Sequence, residues 1–219
     1  MSESIKLIYP WSSGYPKNLL ILEKFAPRIY ISGSFKEIDS NAVAIVGSRS
    51  MTTYGRQVTT RFAGFLASRG VTIVSGMARG VDTMAHVAAL AVHGRTIAVL
   101  GSGIDVVYPP ENVKLFQKIV ACGAVVSQFA PGVKPLPQNF LMRNKLIAAL
   151  SKAVVVVEGA RRSGTFSIAN HAANLGREVF AVPGPINSPL SGTPNFLIDQ
   201  GARIATKPED ILDVLTNSV

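Results

Sequence analysis

Residues 43–55 read VAIVGSRSMTTYG, an apolar run that stops abruptly in Gly47-Ser48-Arg49. A run without polar alternation is what a strand buried on both faces looks like, as in a parallel sheet. A turn of small residues after such a strand lets an anion approach the backbone. Ser48 can donate a hydrogen bond and Arg49 can grip a phosphate with its fork of N–H groups. This unit asks for a phosphate, which could be that of a nucleotide cofactor, a metabolite or a nucleic-acid backbone.

Outward from that stretch the pattern repeats. Strands are expected at Val43–Val46, Val71–Ser75, Thr96–Leu100, Ala124–Ser127, Ala153–Val157, Val179–Val182 and Arg203–Ala205. Helical spacing covers Thr53–Arg69, Gly80–His93, Asn112–Cys122, Phe140–Leu150 and Thr165–Leu175, and KPEDILDVLTN reads as a final helix. Regular alternation of this kind predicts an α/β fold, an extended Rossmann-like and mostly parallel sheet with helices on both faces. Residues 1–40, with their Pro, Gly and aromatic residues, read as a short lead-in subdomain, and residues 41–219 as the core.

Composition narrows the class. Of 219 residues 47% are hydrophobic and 16% charged, which supports a sizeable core and argues against disorder. The lone Cys122 rules out an internal disulfide and suits a reduced compartment. No stretch reaches the roughly 20 apolar residues of a membrane span, and MSESIKLIYP lacks a signal-peptide core, so a cytoplasmic protein is expected. The net charge is +9, and between Asn41 and Glu158 twelve Lys or Arg face only four acids. That local excess points to an anionic partner.

In open parallel sheets ligands bind beyond the carboxyl ends of the strands, so the loops there carry the argument. After Gly47-Ser48-Arg49 comes Ser75-Gly76-Met77-Ala78-Arg79-Gly80, where a dinucleotide-binding unit would place an acid for the ribose; Ser75 stands there instead. Neither G-x-G-x-x-G at the first turn nor G-x-x-x-x-G-K-[ST] anywhere is present, so no NAD or P-loop nucleotide cofactor is expected. The segment PGVKPLPQNFLMRNK (131–145) brings Lys134 near Phe140, Arg143, Asn144 and Lys145, a combination of cations and an aromatic ring suited to single strands. EGARRSGT (158–165) ends in Ser163-Gly164-Thr165, which opens a helix whose N–H groups can hold a phosphate. His86, His93, His171 and Cys122 show no ligand spacing, and no metal is expected.

With these loops in order the chain resembles the DprA/Smf (DNA-processing protein A) family, from about Tyr9 to Leu215. The resemblance rests on AIVGSR, YGR, VSGMARGVDTMAH, TIAVLGSGIDVVYPPEN, NFLMRNKLIAALS, SGT, REVFAVPG, LIDQGA and EDIL. It implies a single-stranded DNA-binding protein that protects incoming strands and loads RecA recombinase in natural transformation, acting as a homodimer. Carried over by position, the family's basic pocket matches Gly47, Ser48, Arg49, Ser75, Gly76, Phe140, Arg143, Asn144, Lys145, Ser163, Gly164 and Thr165; Arg79 and Lys134 extend it. Lys145 replaces a common Arg, which keeps the charge and loses the fork.

The rival reading is a nucleotide-processing enzyme of the phosphoribohydrolase type that shares this fold. Such enzymes resemble P-G-G-x-G-T followed closely by a Glu, whereas Ser163-Gly164-Thr165 runs into Phe166-Ser167-Ile168-Ala169-Asn170-His171 without a carboxylate. Glu158 is expected to organise Arg143 or Arg161 rather than to catalyse. A binder without turnover is therefore expected, with Arg49, Arg143 and Lys145 on successive phosphates and Phe140 stacking on a base.

Overall fold

The structure is a computed structural model and describes residues 5–161 and 163–217. Arg162, inside the expected phosphate loop, lies outside the described residues. The chain begins with β1 (Lys6–Ile8) and β2 (Ile29–Gly33), separated by a 3-10 segment, Lys17–Phe25. The alternating part follows as β3 (Ala42–Val46), α1 (Thr53–Ser68), β4 (Thr72–Ser75), α2 (Val81–Ala91), β5 (Thr96–Val99), α3 (Val113–Cys122) and β6 (Ala124–Ser127). It continues through α4 (Pro137–Leu150), β7 (Ala153–Val156), α5 (Gly164–Asn174), β8 (Glu178–Ala181), α6 (Gly192–Asp199), β9 (Arg203–Ile204) and α7 (Glu209–Asn217).

Among the described residues these strands form one nine-stranded sheet in the order β1-β2-β6-β5-β4-β3-β7-β8-β9. Every pair from β6 across to β9 is parallel, whereas β1–β2 and β2–β6 are antiparallel. The lead-in segment thus supplies two strands that continue the sheet, with Ile31 opposite Val126. A lock at the amino ends of the strands ties it down. The Arg95 guanidinium meets both oxygens of buried Asp39 at 2.5 and 2.7 Å and also donates to the carbonyls of Cys122 and Ser34.

The sequence of β3 explains the two-sided burial. Ala42, Ala44 and Val46 point into a core with Ile147, Ile168 and Ala172 of α4 and α5, while Val43 and Ile45 join Phe62, Leu66 and Ala85 of α1 and α2. All five are fully buried, and each such Val or Ile contributes about 1.5–3 kcal/mol relative to exposure. The fold is therefore the expected extended Rossmann-like α/β sheet with helices on both faces. Two helices depart by more than two residues at an end, or altogether, from the expected pattern. α4 starts at Pro137 rather than Phe140, because proline is tolerated in a first turn where its missing N–H has no partner to lose. Next, α6 forms over GTPNFLID, a stretch whose Gly and Pro conceal it from periodicity.

Strand order reverses at β3: β4 lies on one side and β7, much later in the chain, on the other. This is the topological switch point, where the loops after two neighbouring strands diverge and leave a crevice.

Candidate nucleic-acid interface

The crevice is present as a cleft of about 660 Å³ over the carboxyl ends of β3 and β7. It is lined by Gly47, Ser48 and Arg49 after β3, by Phe140, Leu141, Arg143 and Asn144 of α4, and by Gly159 and Ser163–Thr165 before and within α5. Nine of the proposed site residues, Gly47, Ser48, Arg49, Phe140, Arg143, Asn144, Ser163, Gly164 and Thr165, therefore share one cavity.

Phe140 stands at its centre. The ring packs where a Cβ on Gly101 would come within 2.7 Å of it, so that glycine makes room for the aromatic. Tyr108 leans on it at 5.7 Å between centroids, and the Arg49 guanidinium sits over it at 5.2 Å. The ring is half-buried, whereas Arg49 is exposed and free of any carboxylate partner among the described residues. Opposite lies the start of α5. Its N-cap Ser163 makes no side-chain cap bond, and space above Gly164 is open, so the first N–H groups face the cleft. Asn144 fixes this end of the helix by donating to the Gly164 carbonyl at 3.2 Å.

The floor is charged and buried. Arg143 is 3% exposed; its Nη1 donates to the Val99 carbonyl at 2.6 Å, and its guanidinium lies 5.8 Å from the Phe140 centroid. A Cβ on Gly76 would fall 1.8 Å from Nη1, so the chain can cross the guanidinium there only as glycine. Burial brings the Arg143 pKa down to about 10, with Asp82 opposing the shift and Arg49 adding to it. Asp82 and His86, one turn apart on α2, share this environment. Desolvation raises the Asp82 pKa, and the Arg143 charge pulls it partly back.

His86 Nδ1 lies 2.6 Å from Thr96 Oγ1, whose own proton goes to the Ile73 carbonyl at 2.7 Å. Nδ1 therefore carries the imidazole proton, and Nε2 is left without a partner among the described residues. Burial, and then the Arg143 charge, lower the His86 pKa from 6.5 to about 3. A depressed pKa contributes stability above the unfolded value and loses it as pH falls. Between pH 6.5 and 3 His86 should thus remove about 1.4 kcal/mol per pH unit. Urea midpoints taken from pH 7 to 5 should fall for the wild type and fall less for His86→Gln.

The remaining expected residues lie elsewhere. Ser75 is fully buried and donates to the Ile45 carbonyl at 2.7 Å, so it braces β4 against β3 rather than facing a ligand. Arg79 is exposed and paired with Glu111 at 2.6 Å, outside the cleft lining. Lys134 is exposed on the approach loop, before the lining residue Pro135. Lys145, one position past Asn144, lies outside the cleft lining, with Nζ 5.1 Å from the Phe25 ring. Arg143 and Lys145 therefore do not form a pair of phosphate grips: the first is under the floor and the second outside the cavity. Glu158 corrects another expectation. Its oxygens accept from Thr52 N at 2.9 Å and Thr52 Oγ1 at 2.5 Å, so it caps α1 and not an arginine. Tyr108, Leu141 and Asp82, none of them an expected site residue, also line the cleft. A loop tyrosine and a helix leucine carry no spacing signal that separates lining from core.

The chain is similar to known proteins in both sequence and fold. The sequence model for DNA recombination-mediator protein A matches residues 6–216. Protein Smf of Escherichia coli is 45% identical over 205 residues, covering 93% of this chain and 55% of that protein. DNA processing protein DprA of Bacillus subtilis is 41% identical over 79% of this chain and 58% of its own length. The chain thus spans about half the length of the curated relatives it matches. The X-ray structure of DprA from Streptococcus pneumoniae superposes with a TM-score of 0.89 at 36% identity, over 96% of this chain and 74% of that one. DNA processing protein A of Helicobacter pylori, whose structure addresses its single-stranded DNA binding mode, gives 0.87 at 31% identity over 98% and 97%. With a family match over nearly its whole length, the chain belongs to the DNA recombination-mediator protein A family.

Proposed function

We propose that this chain binds single-stranded DNA across the carboxyl edge of its sheet, with one base against Phe140 and the neighbouring phosphates on Arg49 and the start of α5. The observation that carries this reading is the union, in one cleft, of an exposed guanidinium with no carboxylate partner among the described residues, a half-buried ring beneath it and a helix N-terminus whose Ser163 makes no side-chain cap bond. Cations track a backbone and a ring accepts any base, so sequence preference should be low. Arg143 acts as a positioning residue: it carries Phe140's floor and adds positive potential from below. That the Helicobacter pylori relative, 31% identical, binds single-stranded DNA supports the choice of ligand.

The hydrolase alternative would want an accessible carboxylate over the cleft. Asp82 is the lining carboxylate among the described residues, and it is 5% exposed with a raised pKa. That favours binding over turnover. Loading of RecA onto the bound strand and assembly as a homodimer belong to the proposal through the family likeness; Ile186, 98% exposed, offers apolar surface for such contacts.

The test is competition between labelled oligo-dT and an unlabelled duplex of the same length, with Phe140→Ala alongside. Duplex bases are already stacked and cannot reach the ring, so the single strand should win, and Phe140→Ala should weaken it roughly ten-fold. Equal binding of both forms, untouched by loss of the ring, would sink the reading.

A further inference from the structure

Lys145 left the cleft and found Phe25, and that pairing has features of a ligand contact. Phe25 ends the 3-10 segment of the lead-in and is 66% exposed. Two ammonium groups hover near its ring, Lys145 Nζ at 5.1 Å and Lys24 Nζ at 5.3 Å. The residue before this pair, Glu23, is held at φ 51 and ψ −128, inside an otherwise helical stretch. A non-glycine residue kept at positive φ costs on the order of 1–3 kcal/mol and is found where a local arrangement is put to use. Here it turns the chain so that Phe25 faces outward instead of joining Leu19 and Leu22 in the core.

The patch is continuous with the cleft. Leu141 lines the cavity and is 53% exposed, and Lys145 follows it by one helical turn on the same face of α4, about 6 Å along the axis. His171 of α5 is also close, its pKa lowered by burial and then by the Lys145 charge. Cations around an accessible ring repeat the chemistry of Arg49 and Phe140.

We propose that Lys24, Phe25 and Lys145 form a second nucleotide contact for the same strand. A single strand leaving the cleft across Leu141 stacks a further base on Phe25, and the two lysines hold the phosphates on either side of it. This inference rests on the cleft reading above and extends its footprint onto the lead-in segment.

Its test compares oligo-dT of about four nucleotides, which fills the cleft alone, with one of about twenty. Phe25→Ala should weaken the long oligonucleotide roughly ten-fold and leave the short one unchanged, while Phe25→Tyr, which keeps the ring, binds like wild type. The double change Lys24→Ala with Lys145→Ala should flatten the salt dependence of the long oligonucleotide by about 0.7 per lysine. Exposure of Phe25 and Lys24 makes misfolding an improper explanation for a loss, and thermal unfolding of each variant checks that. If Phe25→Ala binds both lengths like wild type while Arg49→Ala weakens both, the extension is wrong and the cleft reading stands. If Arg49→Ala is also without effect, the cleft reading falls with it.

Discussion

Arg143→Ala should lower the unfolding free energy by about 3 kcal/mol, a large share of the stability of a single domain. The side chain is 3% exposed, and its removal deprives the Val99 carbonyl of a donor and Asp82 of the nearby positive charge. Asp82 keeps its backbone hydrogen bonds at Gly76 and Ala78, but its desolvation remains while the opposing charge is gone, and that is the larger part of the cost. The effect should therefore depend on Asp82. In an Arg143→Ala, Asp82→Asn double variant the losses should not add, since the amide carries no charge to strand. Urea denaturation of the two single variants and the double one measures this coupling. Additive losses would mean that Arg143 serves only its hydrogen bond and its packing.

Arg49→Ala should do the opposite: weaken single-strand binding by roughly 10- to 100-fold while leaving thermal unfolding unchanged. Hydrogen bonds to a charged partner are worth about 1.5–3 kcal/mol, which spans that range. Arg49 is exposed and makes no ion pair among the described residues, so the folded state loses little besides its contact with the Phe140 ring. Arg49→Lys should fall in between, restoring the charge without the fork. Equilibrium binding of oligo-dT, with melting curves beside it, separates the roles of the two arginines: one holds the floor and the other meets the strand.

That separation marks how far the sequence could be read. Buried parallel strands announce themselves because both faces need apolar residues, and VVVV (154–157) or AVAIV (42–46) leave no other economical placement. The place of Gly47-Ser48-Arg49 and Ser163-Gly164-Thr165 was legible for a related reason, since a loop that follows such a strand lies at the carboxyl edge of the sheet. Direction within α4 was not legible. Residues 143 to 145 read as one basic cluster, yet successive positions on a helix are about 100° apart. Arg143 consequently dives under Phe140, Asn144 reaches Gly164, and Lys145 turns to Phe25. Ser75 misled in the same way, since a serine at a strand end can equally serve the neighbouring strand, as it does with Ile45. The two lead-in strands escaped because they lie among Pro, Gly and aromatic residues outside the regular strand–helix alternation, and join the sheet antiparallel.

Whether this sheet edge holds the phosphates of a single strand is read from the salt dependence of oligo-dT binding. With about three phosphates neutralised, by Arg49 in the cleft and by Lys24 and Lys145 beyond it, log Kd against log salt should have a slope near 2.1, a loss of roughly 20-fold between about 50 and about 200 mM. Arg49→Ala should flatten that slope by about 0.7, the share of one phosphate. A wild-type slope near zero, or one that Arg49→Ala leaves unchanged, would contradict the account.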